Sequence, residues 1–184
     1  AYPELNRKEA GEAVHFISLA KDFCYTPESE ELGTIFSKRE VQNGIVLKKF
    51  PEIYEAYEKR LRSTGNVDFG DLIMLPVMIL QENEGIRGQM QRRFRVIMVD
   101  EYQDSNVAQF KLLQCLSGIS EGSGTYVCVV GDDDQSIYSF RGAEVQNILN
   151  FQEQFPGTKL IRLERNYRST DQILHAADAV VSKN

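Results

Sequence analysis

The nine residues Val96-Ile97-Met98-Val99-Asp100-Glu101-Tyr102-Gln103-Asp104 decide the fold class. A short apolar run rich in β-branched residues and halted at once by acids reads as a buried strand of a parallel sheet, with its carboxylates delivered to the C-terminal edge. Working outward, a helical stretch from Val107 to Leu116 follows, then a loop containing Gly118, Gly122 and Gly124. A second apolar run, Tyr126 to Val130, is stopped by Gly131-Asp132-Asp133-Asp134. A further helix is expected over Val145 to Phe155, a third strand over Lys159 to Leu163, and a last helix from Thr170 onward. Strand and helix in alternation predict an α/β fold with a doubly wound parallel sheet. Ligands of such sheets sit beyond the carboxyl ends of the strands, where all three runs place their polar residues.

Upstream of this region the pattern is helical. Ala10, Ala13, Val14, Ile17, Leu19 and Ala20 recur at helical spacing between Asn6 and Phe23. Residues Thr26 to Gly33 are acidic and turn-rich, and Ile53, Tyr54, Tyr57 and Leu61 mark a second amphipathic helix closing near Gly65, a residue suited to a helix C-terminus. A third helix begins at Asp68 and is expected to kink at Pro76.

Of the 184 residues, 42% are hydrophobic and 26% charged, an ordinary globular balance. No stretch approaches the roughly 18 apolar residues of a spanning helix, so no membrane partner is expected and a cytoplasmic location is. Lys plus Arg number 21 against 27 Asp plus Glu, a net charge of −6, so any nucleic-acid contact must be local. Cys24, Cys115 and Cys128 lack the spacing of a zinc site or a disulfide framework and read as reduced core thiols. The start at Ala1 and the helical last residues give both ends the look of cuts in a longer polypeptide.

Adjacent carboxylates at a strand end suit a magnesium site with a base beside it: Asp100 to hold the ion, usually through water, and Glu101 to polarise a water attacking a γ-phosphate. Two acids alone are more often a solvated acidic loop after a strand. Gln135, neutral and both donor and acceptor, ends the next strand on the same edge and can touch a phosphate oxygen or the attacking water without competing for the ion. Phe140 and Arg141 pair a π-face with a forked cation, which suits an unpaired base and a phosphate, although a core ring beside a surface ion pair would look the same.

Three ordered segments carry a family resemblance: Val-Asp-Glu-Tyr-Gln-Asp at 99–104, Gly-Asp-Asp-Asp-Gln-Ser-Ile-Tyr-Ser-Phe-Arg-Gly-Ala at 131–143, and Leu-Glu-Arg-Asn-Tyr-Arg-Ser-Thr at 163–170. Together they resemble motifs II, III and IV of superfamily-one DNA helicases of the UvrD/Rep/PcrA type. Asp68-Phe69-Gly70-Asp71-Leu72-Ile73 also resembles the segment ahead of motif II. The resemblance implies a RecA-like core and the cofactors ATP and Mg2+. It places Asp100 and Glu101 at the metal, Glu101 as activator of the water, and Gln135 at the γ-phosphate. Gln103 joins the nucleotide-binding group, Tyr167 stacks on adenine, and Arg168 reaches the γ-phosphate as a catalytic finger. It puts Tyr138, Phe140 and Arg141 on the DNA face, Phe140 where relatives commonly have Trp. The implied domains are a helical 1B-type subdomain at 1–66, the second half of the 1A core at 67–164, and the start of 2A at 165–184.

The implied activity is a DNA translocase and helicase, 3′-to-5′ in polarity and serving DNA repair or replication. Its partners would be single-stranded and duplex DNA, with repair or replication proteins besides. No Gly-x-x-x-x-Gly-Lys-Ser/Thr loop occurs in the chain, and motifs V and VI are absent. The expectation is therefore an excised middle carrying half an ATP site, empty and inactive by itself. A degenerate core serving as a DNA- or protein-binding platform, and a motor fused to a nuclease, stay open as alternatives.

Other signals fall away. Asp68-Phe69-Gly70 lacks the rest of a kinase, Asp132-Asp133-Asp134 lacks the alternation of a calcium loop, and His15 and His175 have no ligand-spaced partner. Arg87, Arg92, Arg93 and Arg95 read as a solvated face.

Overall fold

The computed structural model describes residues 5–36, 44–119, 125–135 and 146–182. Helix α1 (Arg7–Asp22) opens on a reciprocal cap: the Asn6 side chain accepts from the Lys8 and Glu9 amides at 2.9 and 3.0 Å, and Glu9 accepts from the Asn6 amide at 2.8 Å. It closes with the Tyr25 amide on the Ala20 carbonyl and the Cys24 amide on Lys21, the Schellman arrangement. The left-handed position of that motif is filled by Cys24, at φ 59°.

Helix α2 (Gly44–Ser63) ends the same way, with Gly65 at φ 67° in the left-handed position, as its sequence anticipates. It begins earlier than the amphipathic pattern shows and is broken at Lys49, two residues before Pro51. A proline ring removes one helix hydrogen bond and crowds the carbonyl four residues back, which accounts for the break. Helix α3 (Asp71–Glu82) runs through Pro76, where the kink was expected. It is introduced by Asp68 and Asp71, each side chain accepting from the other's amide at 3.0 and 3.1 Å. The basic stretch forms α4 (Glu84–Arg93).

Strands β1 (Val96–Val99) and β2 (Tyr126–Val129) pair in parallel, Val96 with Tyr126 through Val99 with Val129. They are joined by α5 (Val107–Ser117), capped by Asn106 and Gln109 at its start and by Gly118 at φ 57° at its end. Ile97, Val99, Val127 and Val129 pack into an apolar cluster with Tyr102, Leu113, Phe151 and Phe155. On the opposite face Val96, Met98 and Tyr126 are exposed. A second cluster, built from α1, α2 and the short 3-10 segment Glu30–Phe36, centres on Phe16, Phe50 and Tyr54.

Two expectations need correcting. The sheet of the described residues has two strands, because 159–163 forms no strand: Leu160, Ile161 and Leu163 are exposed and no neighbouring strand offers them ladder hydrogen bonds. The helix expected over Val145–Phe155 is split at Asn150 into α6 (Gln146–Leu149) and α7 (Phe151–Gln154), and Val145 lies outside the described residues. Helix α8 (Asp171–Val181) completes a helix-rich α/β chain. No helix of the described residues is long and apolar enough to cross a membrane.

Candidate functional site

Parallel pairing fixes where the acids go. The Val130 amide donates to the Val99 carbonyl at 2.8 Å, and the Tyr102 amide returns to the Val130 carbonyl at 2.9 Å, so the segments after β1 and β2 leave the sheet side by side. Asp100 and Glu101 both stand exposed at that edge. Glu101 adopts a left-handed conformation, φ 51° and ψ 40°, which costs a non-glycine residue on the order of 1–3 kcal/mol and persists only where surrounding contacts hold it.

Buried Gln103, 1% exposed, supplies part of that hold. Its Nε2 donates to Glu101 Oε2 at 2.8 Å, and its Oε1 accepts from the Asp132 amide at 3.1 Å. The approach is possible because residue 131 is glycine: a Cβ there would lie 2.6 Å from Gln103 Oε1 and 2.8 Å from Ile148 Cδ1. Beyond it, Asp132 organises the turn Asp133–Gln135, its Oδ1 accepting from the Asp134 amide and its Oδ2 from the Gln135 side chain.

Asp100, Glu101, Asp104, Ser105 and Gln109 line a cleft of about 350 Å³ at this edge. Asp104 Oδ1 is buried there without a hydrogen-bond partner among the described residues. Tyr102, which also lines the cleft, is 1% exposed, and burial pushes its hydroxyl up to about 12. Ser105 Oγ donates to the Tyr102 carbonyl at 2.7 Å, and buried Asn147 of α6 donates to the Ser105 carbonyl at 3.2 Å.

Asp100, Glu101, Gln103 and the turn carrying Gln135 thus meet at one sheet edge. Tyr167 and Arg168 do not join them. They are exposed, Tyr167 with Arg165 over its ring at 5.0 Å and Arg168 in a turn whose amide donates to Asn166 Oδ1, and neither makes a hydrogen bond or ion pair to the edge among the described residues. Tyr138, Phe140 and Arg141 lie outside the described residues.

A second polar centre escaped the sequence reading. Lys21, 1% exposed, places Nζ 2.7 Å from Glu58, 2.8 Å from Asp68 and 2.7 Å from Asp71, and Tyr57 donates to Asp68 at 2.9 Å. Burial by itself would lower the ammonium's pKa, but the three carboxylates together outweigh it and leave it raised. Burial likewise opposes ionisation of Asp68, and hydrogen bonds from Lys21, the Asp71 amide and Tyr57 hold it below the usual carboxylate range all the same. Burial, then the bond to Asp68, pushes the Tyr57 hydroxyl up to about 12. Spacing could not reveal this hub, since Lys21 is 47 residues from Asp68.

With this geometry in view, the family model for the UvrD/REP helicase N-terminal domain matches residues 4–156. The chain belongs to the UvrD/REP helicase family. Similar relatives are the ATP-dependent DNA helicase Rep of Escherichia coli K12, 45% identical over 73% of this chain and 20% of its own length, and UvrD1 of Mycobacterium tuberculosis H37Rv, 47% identical over 72% and 18%. PcrA of Leuconostoc citreum is 44% identical over 72% of this chain and 17% of its own. The chain therefore spans about a fifth of the length of these helicases. For the UvrD/REP chain, the match covers both strands and the whole of the sheet edge.

Proposed function

We propose that this chain is the part of an ATP-dependent DNA helicase that carries the water-activating edge of a RecA-like core. The observation that carries the reading is the convergence of Asp100, Glu101 and the Gln135 turn at the carboxyl ends of a parallel strand pair, in a chain of the UvrD/REP helicase family. Residues 1–66 serve as the 1B-type subdomain, 67–164 as the second half of the 1A core, and 165–184 as the start of 2A.

Asp100 and Glu101, consecutive exposed carboxylates at the strand end, offer the oxygen ligands that a hard cation such as magnesium takes, although their oxygens and those of Asp104 are not drawn together at ligand spacing. When bound with ATP, the ion neutralises charge on the transferring phosphoryl group. Asp100 holds it, and Glu101 accepts the proton of the attacking water at its carboxylate. Gln135 contacts the γ-phosphate region, Tyr167 stacks on the adenine, and Arg168 closes onto the γ-phosphate when 165–184 moves toward the edge. Tyr138, Phe140 and Arg141 face single-stranded DNA. Hydrolysis drives 3′-to-5′ movement and duplex unwinding in the cytoplasm, in repair or replication.

The test is Glu101→Gln in the full-length motor. The amide keeps the shape and loses the proton acceptor, so DNA-stimulated turnover should fall by roughly a hundredfold or more while ATP affinity is kept. A variant that keeps most of its turnover overturns the assignment.

A further inference from the structure

Resting on the hydrolytic reading above, we propose that Gln103 is a positioning residue, whose side chain holds the Glu101 carboxylate in place against the turn that carries Gln135. Three observations converge. Gln103 is almost wholly buried and spends its amide on the two halves of the edge, donating to Glu101 Oε2 and accepting from the Asp132 amide. Glu101 sits in a left-handed conformation that its own backbone disfavours, so its direction depends on its surroundings. Gly131 leaves just the space that Gln103 Oε1 occupies. A glutamine suits the task because one planar group is donor at one end and acceptor at the other, while remaining neutral beside a carboxylate. A side chain so placed acts on water through Glu101, and its loss disturbs the angle of the base more than the binding of nucleotide.

The experiment is single-turnover and steady-state ATP hydrolysis by the full-length motor carrying Gln103→Met, Glu101→Gln, or both. The expected result is a loss of about ten- to a hundredfold in kcat for Gln103→Met, the range seen when partners that orient a reacting group are removed, with KM for ATP nearly unchanged. The double variant should be no slower than Glu101→Gln alone, because a residue that acts through Glu101 has nothing left to position. Should the Met variant fail to fold, Gln103→Glu, which keeps the shape and the oxygen facing Asp132 but loses the donor to Glu101, carries the same two readouts. An unaltered kcat, equal changes in kcat and KM, or losses that multiply in the double variant overturn the proposal. Those results are separable from failure of the hydrolytic reading, which shows as full turnover in Glu101→Gln by itself.

Discussion

Cys24 stands where a glycine is usual. Its counterpart at the end of α2 is Gly65, in the same hydrogen-bonded arrangement and nearly the same φ, 67° against 59°. A Cβ in the left-handed region meets the following carbonyl, a cost of roughly 1–2 kcal/mol that glycine avoids. Cys24→Gly should therefore raise stability, by up to about 1 kcal/mol after the half-buried thiol's contacts are lost, as read from the urea midpoint. A lower midpoint would mean that thiol packing outweighs backbone strain. Lys21 and Asp68 make a pH prediction of definite sign. Asp68 is held below its ordinary 3.8, so its contribution is complete above that value and is lost as pH falls through the lowered one. Lys21 is held above 10.5, so its contribution is complete below that value and is lost as pH rises through the raised one. The stability gap between wild type and Asp68→Asn should stay level through neutral pH and close below about pH 3.8, followed by thermal melts across the acid range. A gap independent of pH down to 2 would remove the ion pair from the account.

Among the elements, α1 and α5 begin with the same reciprocal cap, from Asn6 with Glu9 and from Asn106 with Gln109. They differ in what else the capping asparagine does. Asn106 Nδ2 also donates to Asp22 Oδ1 at 2.8 Å, and one turn along α5 Lys111 donates to the Phe23 carbonyl at 3.1 Å, so the end of α1 is tied to the face of α5. Losing a cap costs typically about 1 kcal/mol. Asn6→Ala should cost about that, and Asn106→Ala up to about 1 kcal/mol more for the lost bond to Asp22, the scale of one hydrogen bond. Equal midpoints for the two variants in urea titrations would show the α1–α5 tie to be energetically neutral. The strands obey a similar logic of position: β1 alternates half-buried Ile97 and Val99 with exposed Val96 and Met98, and the half-buried pair carries the apolar contact.

For the molecule as a whole, the Lys21 hub is the polar joint. It fastens α1 to α2 through Glu58 and to α3 and its approach through Asp71 and Asp68, and a Cβ on Gly70 would come within 2.8 Å of the Lys21 chain. Lys21→Met leaves three carboxylates around an apolar side chain, and breaking a buried pair in this way costs about 3–5 kcal/mol. A loss below 1 kcal/mol in denaturant unfolding would show that water already shares the site.

The sequence by itself determined the local layer of this protein. Val96–Val99 is read residue for residue as β1, the Asn6-to-Phe23 pattern contains α1, and Gly65 closes α2, because strand runs, helical spacing and left-handed glycines are written in neighbouring residues. The acids of the candidate site were legible too, since Asp100 and Glu101 follow directly from the end of a strand. Tertiary structure decided the rest. Residues 159–163 have the composition of a strand yet form none, for a strand exists only by pairing. Nothing in the residues next to Lys21 marks it, and three carboxylates from distant segments surround it only once the chain folds. Gln103 joins the nucleotide-binding group only by resemblance, and no spacing along the chain shows that β2 brings Gly131 and the Asp132 amide beside its buried side chain. A buried polar group takes its meaning from what folding places within about 3 Å of it, and separation along the chain carries no record of that.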